Sequence, residues 1–184
     1  MAASSPATPM GTGLPSTVLP DLAGSTVDLA SHAAGRALLV VFACNHCPYV
    51  RHVEAALGSL VAELDAARVA VVAISPNDVA SYPQDDVAHL AEQAARAHWD
   101  FPYLVDTEQS AARAFGAVCT PDFFLFGSDH RLAYRGAFDA STPGNGVPVT
   151  GGDLRGAIEA VLAGEPVPEP QRPAMGCSIK WKGE

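Results

Sequence analysis

Cysteine is scarce in this chain, only four among 184 residues, which excludes a scaffold stapled by disulfides. Basic residues are few as well: 11 Lys and Arg stand against 20 Asp and Glu, for a formal net charge of -9. They are scattered, so there is no electrostatic footprint for nucleic acid, and an acidic membrane surface would repel the protein. No apolar run approaches the length of a membrane span. Residues 1–13, rich in Ala, Ser, Thr and Pro, lack both the charged and the continuous apolar parts of a secretory signal. The expectation is a soluble, cytoplasmic protein with a disordered leader over residues 1–13, no nucleic-acid partner and no membrane partner.

What is present suits one globular unit. A hydrophobic content of 48% over this length buries a core without covalent help. Residues 19–29 read as two short strands around Gly24-Ser25. The run from Ala37 to Ala43 is apolar without alternation, the pattern of a central strand covered on both faces, and Val69 to Ile74 repeats it. Between them Pro48 fits a first helical turn, and Val50, Val53, Leu57, Leu60, Val61 and Leu64 share one helical face. Asp85 or Asp86 caps a second helix ending near His98, and Thr107 caps a two-turn helix that Gly116 stops. Residues 123–126 and 132–135 read as a hairpin, residues 137–150 as a Gly/Pro-rich loop, and residues 153–163 as a last helix. The order predicts an α/β domain over residues 14–164: a central mixed β-sheet flanked by helices, with an N-terminal β-hairpin. Residues 165–184, carrying Pro166, Pro168, Pro170 and Pro173, form an extended tail expected to pack back on that domain.

The chemistry concentrates where the first long strand turns into a helix, at Cys44-Asn45-His46-Cys47. Unpartnered amides and the positive end of the helix dipole stabilise a thiolate there. Two thiols three positions apart can close and reopen a disulfide. A metal site is the alternative, but zinc would want four ligands, and Cys119 and Cys177 stand alone in sequence; no metal and no cofactor is expected. His46, between the thiols, either favours the thiolate as imidazolium or hydrogen-bond partner, or is a solvated loop histidine. Thr120-Pro121 is either an ordinary strand entry or a cis-proline held against the thiols, with the Thr120 backbone free to pair with an extended substrate. Cys119 reads as a packed small hydrophobe or an auxiliary thiol. Cys177 reads as a resolving thiol, or as part of a segment in which Ile179 and Trp181 only pin the terminus. Arg51, His52 and Glu54 read as a solvated helix face.

Taken together, Leu19-Pro20-Asp21, Cys44-Asn45-His46-Cys47-Pro48-Tyr49-Val50, Phe101-Pro102-Tyr103-Leu104-Val105-Asp106, Cys119-Thr120-Pro121-Asp122-Phe123 and Gly176-Cys177-Ser178-Ile179-Lys180-Trp181 resemble the peroxiredoxin-like group of the thioredoxin superfamily. The resemblance implies a thioredoxin fold, thiol chemistry at Cys44 and Cys47, and Thr120-Pro121 as the cis-proline loop. Peroxiredoxins show P-x-x-x-T-x-x-C; here Val40 and Cys44 occupy the Pro and Thr places, and Arg131 and Arg135 flank the activating arginine's expected place at Ala133. The leading expectation is a thiol-disulfide oxidoreductase in which Cys44, as the more exposed thiol, attacks and Cys47 resolves. A thiol peroxidase with Cys47 peroxidatic is the alternative, and a non-catalytic or metal-holding thioredoxin-like module is the rival from another class. Expected partners are a disulfide-containing protein or small thiol, or a peroxide, and an upstream reductant.

Overall fold

The computed structural model describes residues 2–6 and 8–183. The elements are β1 (Ala2–Ser4), β2 (Val18–Pro20), β3 (Thr26–Asp28), α1 (Leu29–Ala33), β4 (Ala37–Phe42), α2 (Pro48–Ala62), β5 (Val69–Ser75), α3 (Val87–Ala97), β6 (Tyr103–Val105), α4 (Ser110–Phe115), β7 (Cys119–Thr120), β8 (Asp122–Phe126), β9 (Leu132–Gly136), α5 (Gly152–Ala163) and β10 (Met175–Ser178). A 3-10 turn, Pro83–Asp85, precedes α3. Among the described residues no helix is long and apolar enough to cross a membrane.

The central sheet runs β6-β5-β4-β8-β9; the first three strands are parallel, and β8 and β9 join antiparallel. β4 and β5 are buried along their whole length, so both faces need apolar side chains, which explains their unbroken runs. The pleat sends alternate residues to opposite sides. Leu39, Val41, Val71, Ala73, Phe123 and Leu125 pack beneath α2, α3 and α5. Leu38, Val40, Phe42, Val72, Ile74, Phe124 and Phe126 pack against α1 and α4, where Phe42, Phe115 and Phe124 meet edge to face.

α2 and α3 touch through Gly58, where an added Cβ would sit 2.0 Å from the Ala97 carbonyl oxygen. Gly58→Ala is expected to destabilise the protein, because overpacking costs about 1–3 kcal/mol, more than the ~1 kcal/mol that alanine returns in helix propensity. A lower urea midpoint measures it; an unchanged or higher one would show that the two helices separate freely.

Several expectations are corrected. Leu29, read as the end of a strand, instead opens a short helix, Leu29–Ala33, capped by Asp28, whose carboxylate accepts from the Ser31 amide at 2.7 Å. α4 starts after Gln109 rather than at Thr107, and Asp106 accepts from the Ala112 amide at 2.8 Å. The leader expected to be disordered is not free over Ala2–Ser4, which pairs antiparallel with Met175–Cys177. Its short, small residues add an outer strand to an edge that would otherwise stand unpaired. The tail forms β10, which pairs on its other side with β7, so β1-β10-β7 is a second, three-stranded sheet.

Candidate active site

β4 delivers Cys44 and α2 begins directly after Cys47, its N-cap residue, with Pro48 in the first turn. The intervening turn is shaped from below by Asp85, whose side chain has no exposed surface. Its Oδ1 accepts from the amides of Asn45 (2.8 Å) and His46 (3.0 Å), and its Oδ2 accepts from His46 Nδ1 (2.6 Å) and Asn77 Nδ2 (2.8 Å). Burial pushes the Asp85 carboxyl up, but the donors from His46 and Asn77 outweigh it and hold it below the usual carboxylate range. A buried carboxylate persists here because every oxygen is met by donors.

This geometry revises the part expected of His46. Its Nδ1 proton goes to Asp85, Cys44 Sγ lies 3.9 Å away, and the ring stacks on Tyr82 at 5.4 Å. His46 orients the turn and does not touch Cys47 through a hydrogen bond. Glu54, read with Arg51 and His52 as a solvated face, is buried, while Arg51 is exposed as expected. The Glu54 carboxylate accepts from Arg96 Nε (2.8 Å) and Gln93 Nε2 (3.1 Å), Gln93 also donates to the Cys44 carbonyl (3.3 Å), and Arg51 donates to the Asn45 carbonyl (2.9 Å).

Both thiols are fully buried, against the expectation that Cys44 is the more exposed. Cys47 is pushed down to about 5: the Cys44 thiol donates to it, burial opposes, and the Cys177 thiol and the Val50 amide in the first helical turn add support. Cys44 moves well above the ordinary thiol range, because its proton is held toward Cys47, it is buried and the Asp85 charge is near. In its protonated form Cys47 donates to the Thr120 carbonyl at 3.1 Å, and Thr120 Oγ1 lies 3.3 Å from Cys44 Sγ.

The Thr120-Pro121 peptide is cis and its loop abuts both thiols. The Thr120 backbone is not free for a substrate: Thr120 pairs in register with Cys177 of β10. Gly176 makes that approach possible, since a Cβ there would lie 1.9 Å from the Thr120 carbonyl oxygen. Cys119 is buried and burial pushes its thiol far up, with the Asp122 charge adding to it, so it is an inert small hydrophobe. Cys177 is half-buried and pushed up to about 12, first by burial and then by its bond to Cys47. Arg135 is committed to a buried ion pair with Asp122 (2.8 Å) and lies over the Phe124 ring.

Next to the cis-proline, a groove of about 430 Å³ is bounded by Tyr49 and His52 of α2, Pro121, Met175 of the tail, and Phe138 and Ser141 of the loop expected to flank the site; the two buried thiols lie outside its lining. Asp85, Asn77 and Gln93 are site residues the sequence reading missed. One signal existed for Asp85: Asp86 caps α3 by accepting from the His89 amide at 3.0 Å, leaving the second acid of the pair for another task.

A dithiol at a helix N-terminus beside a cis-proline is the working part of thioredoxin-fold oxidoreductases, and the protein is of that class. It belongs to the AhpC/TSA family, which matches residues 10–135. It is 42% identical to a hypothetical protein of Sinorhizobium meliloti, with a TM-score of 0.95, coverage of 98% of this chain and 99% of that one. An uncharacterized conserved protein of Geobacillus kaustophilus is also 42% identical, with a TM-score of 0.95 and coverage of 100% and 98%. A secreted disulfide oxidoreductase of Mycobacterium tuberculosis, 18% identical with a TM-score of 0.61 over 79% of this chain and 96% of that one, shares the fold. No curated protein matches the chain.

Proposed function

We propose that the protein catalyses thiol-disulfide exchange through the Cys44/Cys47 couple, with Cys47 attacking and Cys44 resolving. The carrying observation is the placement of the pair: Cys47 is the N-cap residue of α2, whose first-turn amides favour charge on its sulfur, whereas Cys44 precedes the turn held by the buried Asp85 carboxylate, whose charge opposes ionisation there. This reverses the order expected from the sequence. The Cys47 thiolate attacks a disulfide, one substrate thiol leaves with a proton, and a second thiol of the protein then displaces the other, leaving a protein disulfide. Substrate enters along the groove beside Tyr49 and Pro121, and an upstream reductant returns the dithiol. We assign it to the cytoplasm, in keeping with its few, unlinked cysteines.

Equilibration with mixtures of reduced and oxidised glutathione tests this reading. A two-electron transition is expected in the wild type and none in Cys47→Ser; a wild type that loses no thiols over the whole range would overturn it. The same titration gives the potential, which separates a reductase from an oxidant.

A peroxide substrate is supported by the family but less by the site, where Cys44 replaces a threonine and Arg135 is held by Asp122. A metal reading draws on Cys44, His46 and Asp85, whose donor atoms lie within 4.8 Å of one another. One zinc bound per chain with both active-site thiols protected from alkylation would favour it over exchange.

A further inference from the structure

We propose that Cys177 is a third redox thiol of this site, carried on the chain's own strand in the position an extended substrate would occupy, and that it resolves disulfides formed on Cys47. The inference rests on the exchange reading above and adds a residue to it.

Four observations carry it. Cys177 stands opposite Thr120 in the β10–β7 ladder, and the Thr120 carbonyl is 3.1 Å from Cys47 Sγ. Gly176 lets β10 lie against Thr120 closer than any side chain would allow. Cys177 is half-buried and packs on the same apolar cluster as Cys44 and Cys47. The strand is also held in place beyond the cysteine: the Ile179 amide donates to the Val118 carbonyl (3.0 Å), the Lys180 amide to Asn77 Oδ1 (2.9 Å), and Arg113 stacks on Trp181 at 4.5 Å. A tail needed only to cover a core would not require a cysteine at the register position opposite Thr120, the residue whose carbonyl meets Cys47.

In the step assigned to it, Cys47 carries a mixed disulfide with a small thiol. The Cys177 sulfur attacks the Cys47 sulfur, the Cys47–S to substrate–S bond breaks, and the Cys177 proton leaves with the departing thiol. The product is a Cys47–Cys177 disulfide, and the two electrons given up by the two protein thiols have reduced the substrate disulfide to two thiols. Cys44 can then attack Cys47, returning Cys177 to its thiol form and leaving Cys44–Cys47 linked.

The test uses the full chain and oxidised glutathione as the probe. Reduced Cys44→Ser is expected to release both glutathione halves and to yield a Cys47–Cys177 crosslink in peptide maps. The Cys44→Ser/Cys177→Ser double variant is expected to retain a glutathione adduct on Cys47 that persists roughly 100-fold longer or more, since it lacks a positioned intramolecular thiol. In the wild type, quenched during oxidation, the peptide carrying Cys177 should appear transiently linked to the one carrying Cys47. A persistent adduct on Cys44→Ser with Cys177 still free, or no such link in the wild type at any time, overturns the inference while leaving exchange intact. A wild type that takes up no glutathione and loses no thiols overturns exchange itself, and this inference with it.

Discussion

Cys47→Ser is expected to lower the rate of exchange with a small disulfide by at least about 10³-fold, the scale on which a covalent nucleophile is lost, while Cys119→Ala leaves that rate unchanged. The reason lies in where the negative charge sits. A thiolate is the attacking species, and the first turn of α2 together with the Cys44 and Cys177 thiols provides Cys47 with donors that Cys119 lacks. Ultraviolet absorbance of the reduced protein should therefore show a thiolate that persists down to about pH 5, and Cys47→Ser should remove that transition. Stability follows by linkage. An acid depressed in the folded state contributes stability that is fully present above the ordinary thiol range and is lost as pH falls through about 5. Cys44 and Cys177, raised in the folded state, act the other way: their contribution is present below the ordinary thiol value and is lost as pH rises beyond it. Reduced protein should accordingly resist urea best near the ordinary thiol value, with the acid-side loss absent from Cys47→Ser. Equal acid-side loss in that variant would show that the charge resides elsewhere.

The second large effect concerns Asp85. Asp85→Ala strands four donors, among them two amides of the turn that joins the cysteines. Removing one partner from a buried, fully hydrogen-bonded charge site costs about 3–5 kcal/mol, so a clear fall in the urea midpoint is expected. Asp85→Asn keeps the volume but turns an amide group against N–H donors, so it should recover little of the loss. Both variants also remove the charge that opposes ionisation of Cys44. Ionisation of Cys44 should then need a less alkaline pH, while its neighbour Cys47 and burial still hold it above the ordinary thiol value, and the ultraviolet titration reads the change as a shift of the alkaline transition. A variant as stable as the wild type would mean that the turn is held by its other contacts, such as Asn45 Nδ2 to the Gln84 carbonyl at 2.8 Å.

How far these features were legible in the sequence follows from how local their causes are. β4 and β5 announce themselves because burial on both faces demands unbroken apolar runs, and the α2 start is signalled by Pro48 directly after Cys47. The reactive pair is visible because its spacing is a property of the chain. What surrounds the pair is not. Asp85 reaches the thiol turn across 40 residues, Gln93 reaches the Cys44 carbonyl across 49, and β10 reaches Thr120 from the far end of the chain. No periodicity or spacing encodes such meetings, so Asp85 looked like a helix cap and Glu54 like a surface charge. The order of attack we propose departs from the expected one for the same reason: it draws on a distant carboxylate and a distant thiol, not on which cysteine comes first.

Pro121 is the single residue between β7, which belongs to the small sheet, and β8, which belongs to the large one. The chain thus passes from the small sheet to the large one through one residue, next to Thr120, which abuts both sulfur atoms. A substitution that displaces the small sheet would therefore act on the surface over Cys47 while every rung of the five-stranded sheet stays paired.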